Sequence, residues 1–239
     1  MPRKQRRPRR RYNRKRRARK SSVPRTLALG PTYPNGLIAK HKYTDEFVLE
    51  GTYTQADIPG TALQSIRAGS LFDPDRTGVG HQPLFFDEMA LIYHQYRVLG
   101  AKMRIRFVNL CDEPMIACAA HLGNPLGTGW NPHHLMERKD VKTRILSPMS
   151  AGGKNQTSLT LHYSPSKFYQ QSKENLRNDS DLVGKYDGSL LPQKMSYFEF
   201  GVAQVSTAVG GSEPHKVKCY IDIEYTAFWN DRKLKVTAS

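Results

Sequence analysis

The sequence predicts an all-β protein, an antiparallel sandwich or jelly roll, and three observations lead there. Apolar residues recur at every second position in two long stretches, several weaker runs of the same kind are spaced along the chain, and long loops rich in Gly, Pro and Asn separate them. Ahead of this region stands a leader of opposite character. The 239 residues therefore divide into a basic arm with its linker, 1–40, and one β domain, 41–239.

The leader is defined by charge. Of the 37 Lys and Arg in the chain, thirteen fall in residues 1–20: Arg3, Lys4, Arg6, Arg7, Arg9, Arg10, Arg11, Arg14, Lys15, Arg16, Arg17, Arg19 and Lys20. No acid accompanies them, which leaves 24 basic residues against 21 acidic ones for the remainder. The net charge of +16 thus belongs to the arm, and the body is nearly neutral. Thirteen like charges repel one another, and Met1, Tyr12 and Ala18 give almost nothing to bury, so a disordered arm is expected. Residues 21–40 carry Pro24, Gly30, Pro31, Pro34 and Gly36 and read as an extended linker. The run passes into Ser21, Ser22 and Val23 rather than an apolar segment, so neither a secretory leader nor membrane insertion is expected.

From about residue 42 the period is two. In 98–109, Ala101, Met103, Ile105 and Phe107 alternate with Lys102, Arg104 and Arg106. In 216–229, Val217, Cys219, Ile221, Ile223, Tyr225, Ala227 and Trp229 share one face, opposite Lys218, Asp222, Glu224 and Thr226. Each pattern is that of a strand with one buried face. Weaker strands are expected at 42–50, 63–72, 114–122, 157–164 and 196–206, the last with Phe198, Phe200 and Val202 inward and Glu199 opposite. That makes seven recognisable strands, with an eighth expected. One short helix fits 84–96, where Phe85, Met89, Ile92 and Tyr96 recur at helical steps and Asp87 could cap the start. The long loops are 73–83, 123–156 and 165–195.

Chemistry-bearing motifs are sparse. Cys111, Cys118 and Cys219 fit neither a disulfide framework nor a zinc signature, and Cys118 and Cys219 read as small core hydrophobes. His133 and His134 are adjacent, so on a strand their side chains diverge, and no metal is assigned to them. No nucleophile elbow, phosphate loop or His-Glu-x-x-His is present, so no catalytic residue, cofactor or enzyme activity is expected. Asn155–Thr157 and Asn178–Ser180 match the glycosylation sequon and are read as chance.

The order of these features resembles circovirus coat proteins and related circular single-stranded DNA viruses. The Arg-rich start, the Pro/Gly linker and a first strand carry part of the likeness. The most specific part is FFDEMALIYHQYRVLGAKMRIRFV at 85–108, an aromatic helix or turn followed by Tyr96, Arg97 and the basic, apolar alternation from Lys102 to Phe107. The aromatic close of the last strand, Phe228 and Trp229, adds to it. The resemblance implies an eight-stranded jelly-roll shell domain and a small icosahedral shell of one kind of subunit. It further implies a virion protein that visits the host nucleus. A coat protein of a small single-stranded RNA virus shares this logic. A non-viral nucleic-acid-binding protein with a basic extension and a cupin-type enzyme are the other readings, the last lacking its His and Glu ligands.

On this reading the arm gathers single-stranded nucleic acid by counterion release. Ten of its thirteen cations are Arg, which favours forked phosphate contacts and stacking on unpaired bases. Arg6, Arg7, Arg9, Arg10, Arg11, Arg14, Lys15, Arg16 and Arg17 also suit a nuclear localisation signal read by import receptors. Lys102, Arg104 and Arg106 form a basic strand face with two readings: a nucleic-acid groove inside the shell, or a solvated face or subunit contact. Partners expected are further copies of the chain, a single-stranded genome, import receptors and a host-cell surface receptor. Trp130, Tyr163, Phe168, Tyr169, Tyr186, Phe228 and Trp229 are candidate anchors between subunits, each equally suited to the core.

Overall fold

Two antiparallel sheets face one another across an apolar core. The structure, a computed structural model, describes residues 34–51, 63–125, 132–150, 152–205 and 215–233. The arm, the linker up to residue 33 and Trp130, for which the sequence sets expectations, lie outside them.

The strands are β1 (Gly36–Gly51), β2 (Leu63–Arg67), β3 (Tyr93–Asn109), β4 (Met115–Leu122), β5 (Lys142–Leu146), β6 (Gln156–Tyr163), β7 (Val183–Lys185), β8 (Tyr197–Gln204) and β9 (His215–Arg232). The helices are α1 (Phe86–Ile92), α2 (Pro132–Met136), α3 (Pro165–Phe168) and α4 (Lys173–Asn178). The larger sheet runs β1-β9-β3-β6, with the short β7 joined to β3, and the smaller runs β2-β8-β4-β5. With β7 set aside, first pairs with last, second with seventh, third with sixth and fourth with fifth. That is one long antiparallel hairpin rolled into two layers, a jelly roll.

The two clear alternations fold as their pattern requires. Along β9, Val217, Cys219, Ile221, Ile223, Tyr225, Ala227 and Trp229 are buried and Tyr220, Asp222 and Glu224 are exposed. Along β3, Ala101, Met103, Ile105 and Phe107 point inward and Lys102, Arg104 and Arg106 outward. An irregularity between Val98 and Gly100 shifts the register, so Tyr96 and Val98 are also buried although they lie out of phase with Ala101. Phe200 of β8 meets Phe47 and Phe107 across the sandwich, at 6.0 and 6.3 Å between rings.

Several boundaries differ from the sequence reading. Residues 36–40, expected to end the linker, pair with Thr226–Asn230 and open β1. The helix expected over 84–96 ends at Ile92, because Tyr93 and Tyr96 are drawn into β3 and buried. Asp87 does not cap it. The capping position is Phe85, in the left-handed region at φ 65°, and no side chain caps the turn. The long loops hold structure: 123–156 contains α2 and β5, and 165–195 contains α3, α4 and β7. Glu199 is buried rather than on a wet face, because Leu135 of α2 packs with Cys118, Ala120 and Leu122 over the outside of the smaller sheet.

Trp229 is the hub of one end of the core. Its ring lies 5.4 Å from Phe86, 5.5 Å from Tyr96 and 6.5 Å from Tyr93. Its indole N–H donates to Nε2 of buried His41 at 2.8 Å, while Nδ1 of His41 donates to the Leu84 carbonyl at 3.1 Å. Those two bonds fix the neutral imidazole with its proton on Nδ1. Tyr hydroxyls tie the larger sheet to the end of β2 and the segment after it: Tyr96 bonds Ser70 and the Phe72 amide, and Tyr225 donates to the Arg67 carbonyl.

Candidate nucleic-acid interface

The outer face of the larger sheet is a charged surface laid out in rows by strand register. One row reads Lys42, Glu224, Lys102, His162; the next Thr44, Asp222, Arg104, Thr160; the next Glu46, Tyr220, Arg106, Ser158. The period of two puts all of these side chains on one side. On the β1–β9 half the charges are matched. Lys42 pairs with Asp222 at 3.4 Å, Lys218 with Glu46 at 3.1 Å and Lys216 with Glu50 at 3.6 Å. Lys102, Arg104 and Arg106 stand apart from this matching. Among the described residues none of the three has a carboxylate within 4.0 Å.

The β6 side of the basic row carries Ser158, Thr160 and His162, which add no negative charge. Beyond it, Lys142 of β5 reaches the Thr160 carbonyl at 2.6 Å, with exposed Arg144 two residues on. A cleft of about 480 Å³ opens beside Arg104 and Arg106, its β1–β9 side walled by Tyr220 and the acids Asp45, Glu46 and Asp222. Positive charge therefore runs along β3 toward the β5–β6 edge, with Tyr220 offering a ring at its border. Arg97 continues the row on the same face, since it lies opposite Phe228, in phase with the outward residues of β9. Arg97 is partly buried, and desolvation holds its guanidinium below the usual range.

Of the site residues read from sequence, the thirteen arm cations lie outside the described residues, while Lys102, Arg104 and Arg106 share one exposed row. The candidate interface aromatics divide. Trp229 and Tyr163 are core residues, whereas Phe168, Tyr169, Tyr186 and Phe228 are half-buried. Tyr186 carries Lys233 over its ring at 3.6 Å. The sequence reading missed the exposed apolar group Leu84, Phe85 and Leu91 around α1, 58–71% exposed, because helical spacing alone marked Phe85 as inward. None of the three cysteines forms a disulfide. Burial pushes the Cys118 thiol up to about 12, as expected of an inert core residue. Among the described residues no group of three His, Cys, Asp or Glu is placed to hold a metal ion.

Two histidines, buried His41 and half-buried His121, give the fold an acid limit. His121 is enclosed by Tyr163, Phe168 and Phe198, its Nε2 has no hydrogen-bond partner, and burial brings its pKa from 6.5 down to about 4. Burial lowers His41 as well. A base held below its unfolded pKa adds full stability above about 6.5, and that stability is lost as pH falls toward the folded value. For His121 the loss between pH 6.5 and 4 is on the order of 3 kcal/mol. Denaturant titrations at pH 7 and pH 4.5 are expected to show His121→Phe losing less stability than the parent. Equal losses in the two proteins would remove His121 as the cause.

No family model matches the chain, and no curated protein does. Among solved structures, the chain is similar to that of mud crab tombus-like virus, at 11% identity over 85% of this chain and 93% of that one, with a TM-score of 0.46. It is similar to a semi-empty virus-like particle of giant freshwater prawn Macrobrachium rosenbergii nodavirus, at 9% identity over 87% and 100%, TM-score 0.46. It is similar also to the 60-mer of BFDV capsid protein, at 10% identity over 87% and 100%, TM-score 0.42. The jelly-roll assignment rests on the strand order and register above.

Proposed function

We propose that the chain is the coat protein of a small virus, a subunit that assembles with its own copies into an icosahedral shell and packages single-stranded nucleic acid. The observation that carries this reading is the union of two parts: a rolled eight-strand sandwich, and a leader of thirteen cations and no acid ahead of it. A sandwich alone has many uses. Joined to a segment that attracts phosphate without regard to sequence, it supplies both a wall and a means of filling the interior. The exposed Leu84, Phe85 and Leu91 support self-association, since apolar groups clustered at a surface mark contact sites. The role is structural rather than catalytic.

Circular single-stranded DNA is the genome favoured by the sequence resemblance, with the host nucleus as the place of assembly and the leader as the signal read by import receptors. A receptor on the host cell surface completes the set of partners. Expression followed by size-exclusion chromatography and negative-stain microscopy tests the shell: uniform particles are expected, and a stable monomer at high concentration would refute it. DNase and RNase digestion of material from native particles decides the genome.

The basic row of β3 is the second contact with the strand. Replacing Lys102, Arg104 and Arg106 together by Gln leaves the core untouched, because all three are exposed. If each meets a phosphate, the slope of log K against log salt becomes shallower by about 2. Oligonucleotide binding across a salt series measures this, and an unchanged slope would assign the row to solvent or subunit contacts.

A further inference from the structure

Where β3 enters the larger sheet, the segment between β6 and β7 folds beside it and closes a cavity of about 320 Å³. That is near the lower end of the roughly 300–1,000 Å³ of small-ligand sites. Three cations line it, Arg97 from β3 with Lys173 and Arg177 from α4, and no carboxylate does. The helical spacing of four puts Lys173 and Arg177 on one side of α4. Asp179 and Asp181 are held by Lys194 at 2.7 and 3.2 Å, Asp179 also bears electrostatically on Arg97, and Glu174 stands in the first turn of α4 without lining the cavity. Arg97 gives Nε to the Asp179 carbonyl and Nη1 to Asn230, each at 3.4 Å, which leaves donors on Nη2.

The remaining wall is apolar, from Val98, Leu99, Pro165, Leu176 and Leu182, and the hydroxyls of Ser164 and Ser166 lie 3.0 Å apart at its margin. An inorganic anion would have no use for that wall, and a sulfated sugar would set its hydroxyls against leucine. A nucleotide has both faces: an apolar ring plane and a phosphate.

We propose that this cavity seats one nucleotide unit of a bound single strand, the base against the aliphatic wall and the phosphate on Arg97, Lys173 and Arg177. The proposal rests on the packaging role given above and adds to it a defined seat. From Arg97 to Arg106 the strand rises about 30 Å on the same outer face. A strand held in the cavity can therefore continue along Lys102, Arg104 and Arg106. The cavity is the fixed point, and the row is a track.

Photocrosslinking of the full-length chain tests it, with short oligodeoxythymidine bearing 5-bromouracil as probe and crosslinked peptides read by mass spectrometry. Crosslinks are expected in 97–106 and 164–182 as well as in the leader. Lys173→Glu with Arg177→Glu, both at exposed positions, should reduce those in 164–182 at least tenfold while leaving the leader's unchanged. Lys173→Ala with Arg177→Ala should give a smaller loss in the same peptides. Crosslinks confined to the leader would overturn the seat and leave the packaging role standing. No retained probe anywhere would overturn both. Displacement by a sulfated disaccharide without any crosslink in 164–182 would assign the cavity to a sugar anion and overturn the proposal.

Discussion

Shells made from a chain lacking residues 1–20 are expected to form but to hold little nucleic acid. The deletion removes thirteen cations and leaves a body with 24 basic and 21 acidic residues, so the long-range attraction for phosphate largely disappears. If all thirteen engage a single strand, log K of the intact chain falls with log salt at a slope of about −9, and the truncated chain retains only the smaller share of the β3 row and of the cations at the Arg97 cavity. The ratio of absorbance at 260 and 280 nm across purified particles, with micrographs of the same fractions, measures the outcome. A full load in the truncated shells would place packaging in the sandwich. Failure to form shells at all would make the leader part of the assembly contact and refute the division of roles.

Trp229→Ala is expected to produce the largest loss of stability of any single change in the described residues. Emptying the site of a fully buried Trp costs about 3–5 kcal/mol. It also strips His41 of the donor on Nε2, leaving a buried acceptor unpaired, which adds about 1–3 kcal/mol. Because total stability is typically about 5–15 kcal/mol, such a chain would lose a large fraction of it. Trp229→Phe keeps much of the volume and loses only the N–H, so it separates the two contributions. Urea titration followed by far-ultraviolet circular dichroism supplies the comparison. A change below about 1 kcal/mol in the Ala variant would show that neighbouring rings collapse into the space.

How much of this was legible in advance depended on whether a strand had one wet and one dry face. β3 and β9 do, and 101–107 and 217–229 announced them residue by residue. β8 is covered on both sides, so Glu199 misled: its charge implied water, and only α2, folded from a loop with no visible period, explains its burial. β5 failed in the opposite way. Lys142, Thr143, Arg144 and Ile145 are all exposed, and only Leu146 is buried, so no alternation exists to be read. The functional surface follows the same logic. The row Lys102, Arg104 and Arg106 was visible because every second residue of a strand shares a face, whereas its position beside uncharged β6 was not. The cavity at Arg97 draws on three separated segments, and nothing in local sequence joins them.

The rims of the two sheets limit how copies of this molecule can join. Lys142 occupies the Thr160 carbonyl on the border strand β6, and β5 presents Lys142 and Arg144 along its own length. Charged side chains on a border strand deter another chain from adding a rung by hydrogen bonding. On that side, therefore, open-ended growth into fibres is disfavoured, and the unions left to the subunit are between surfaces and loops, whose angles can close a finite container.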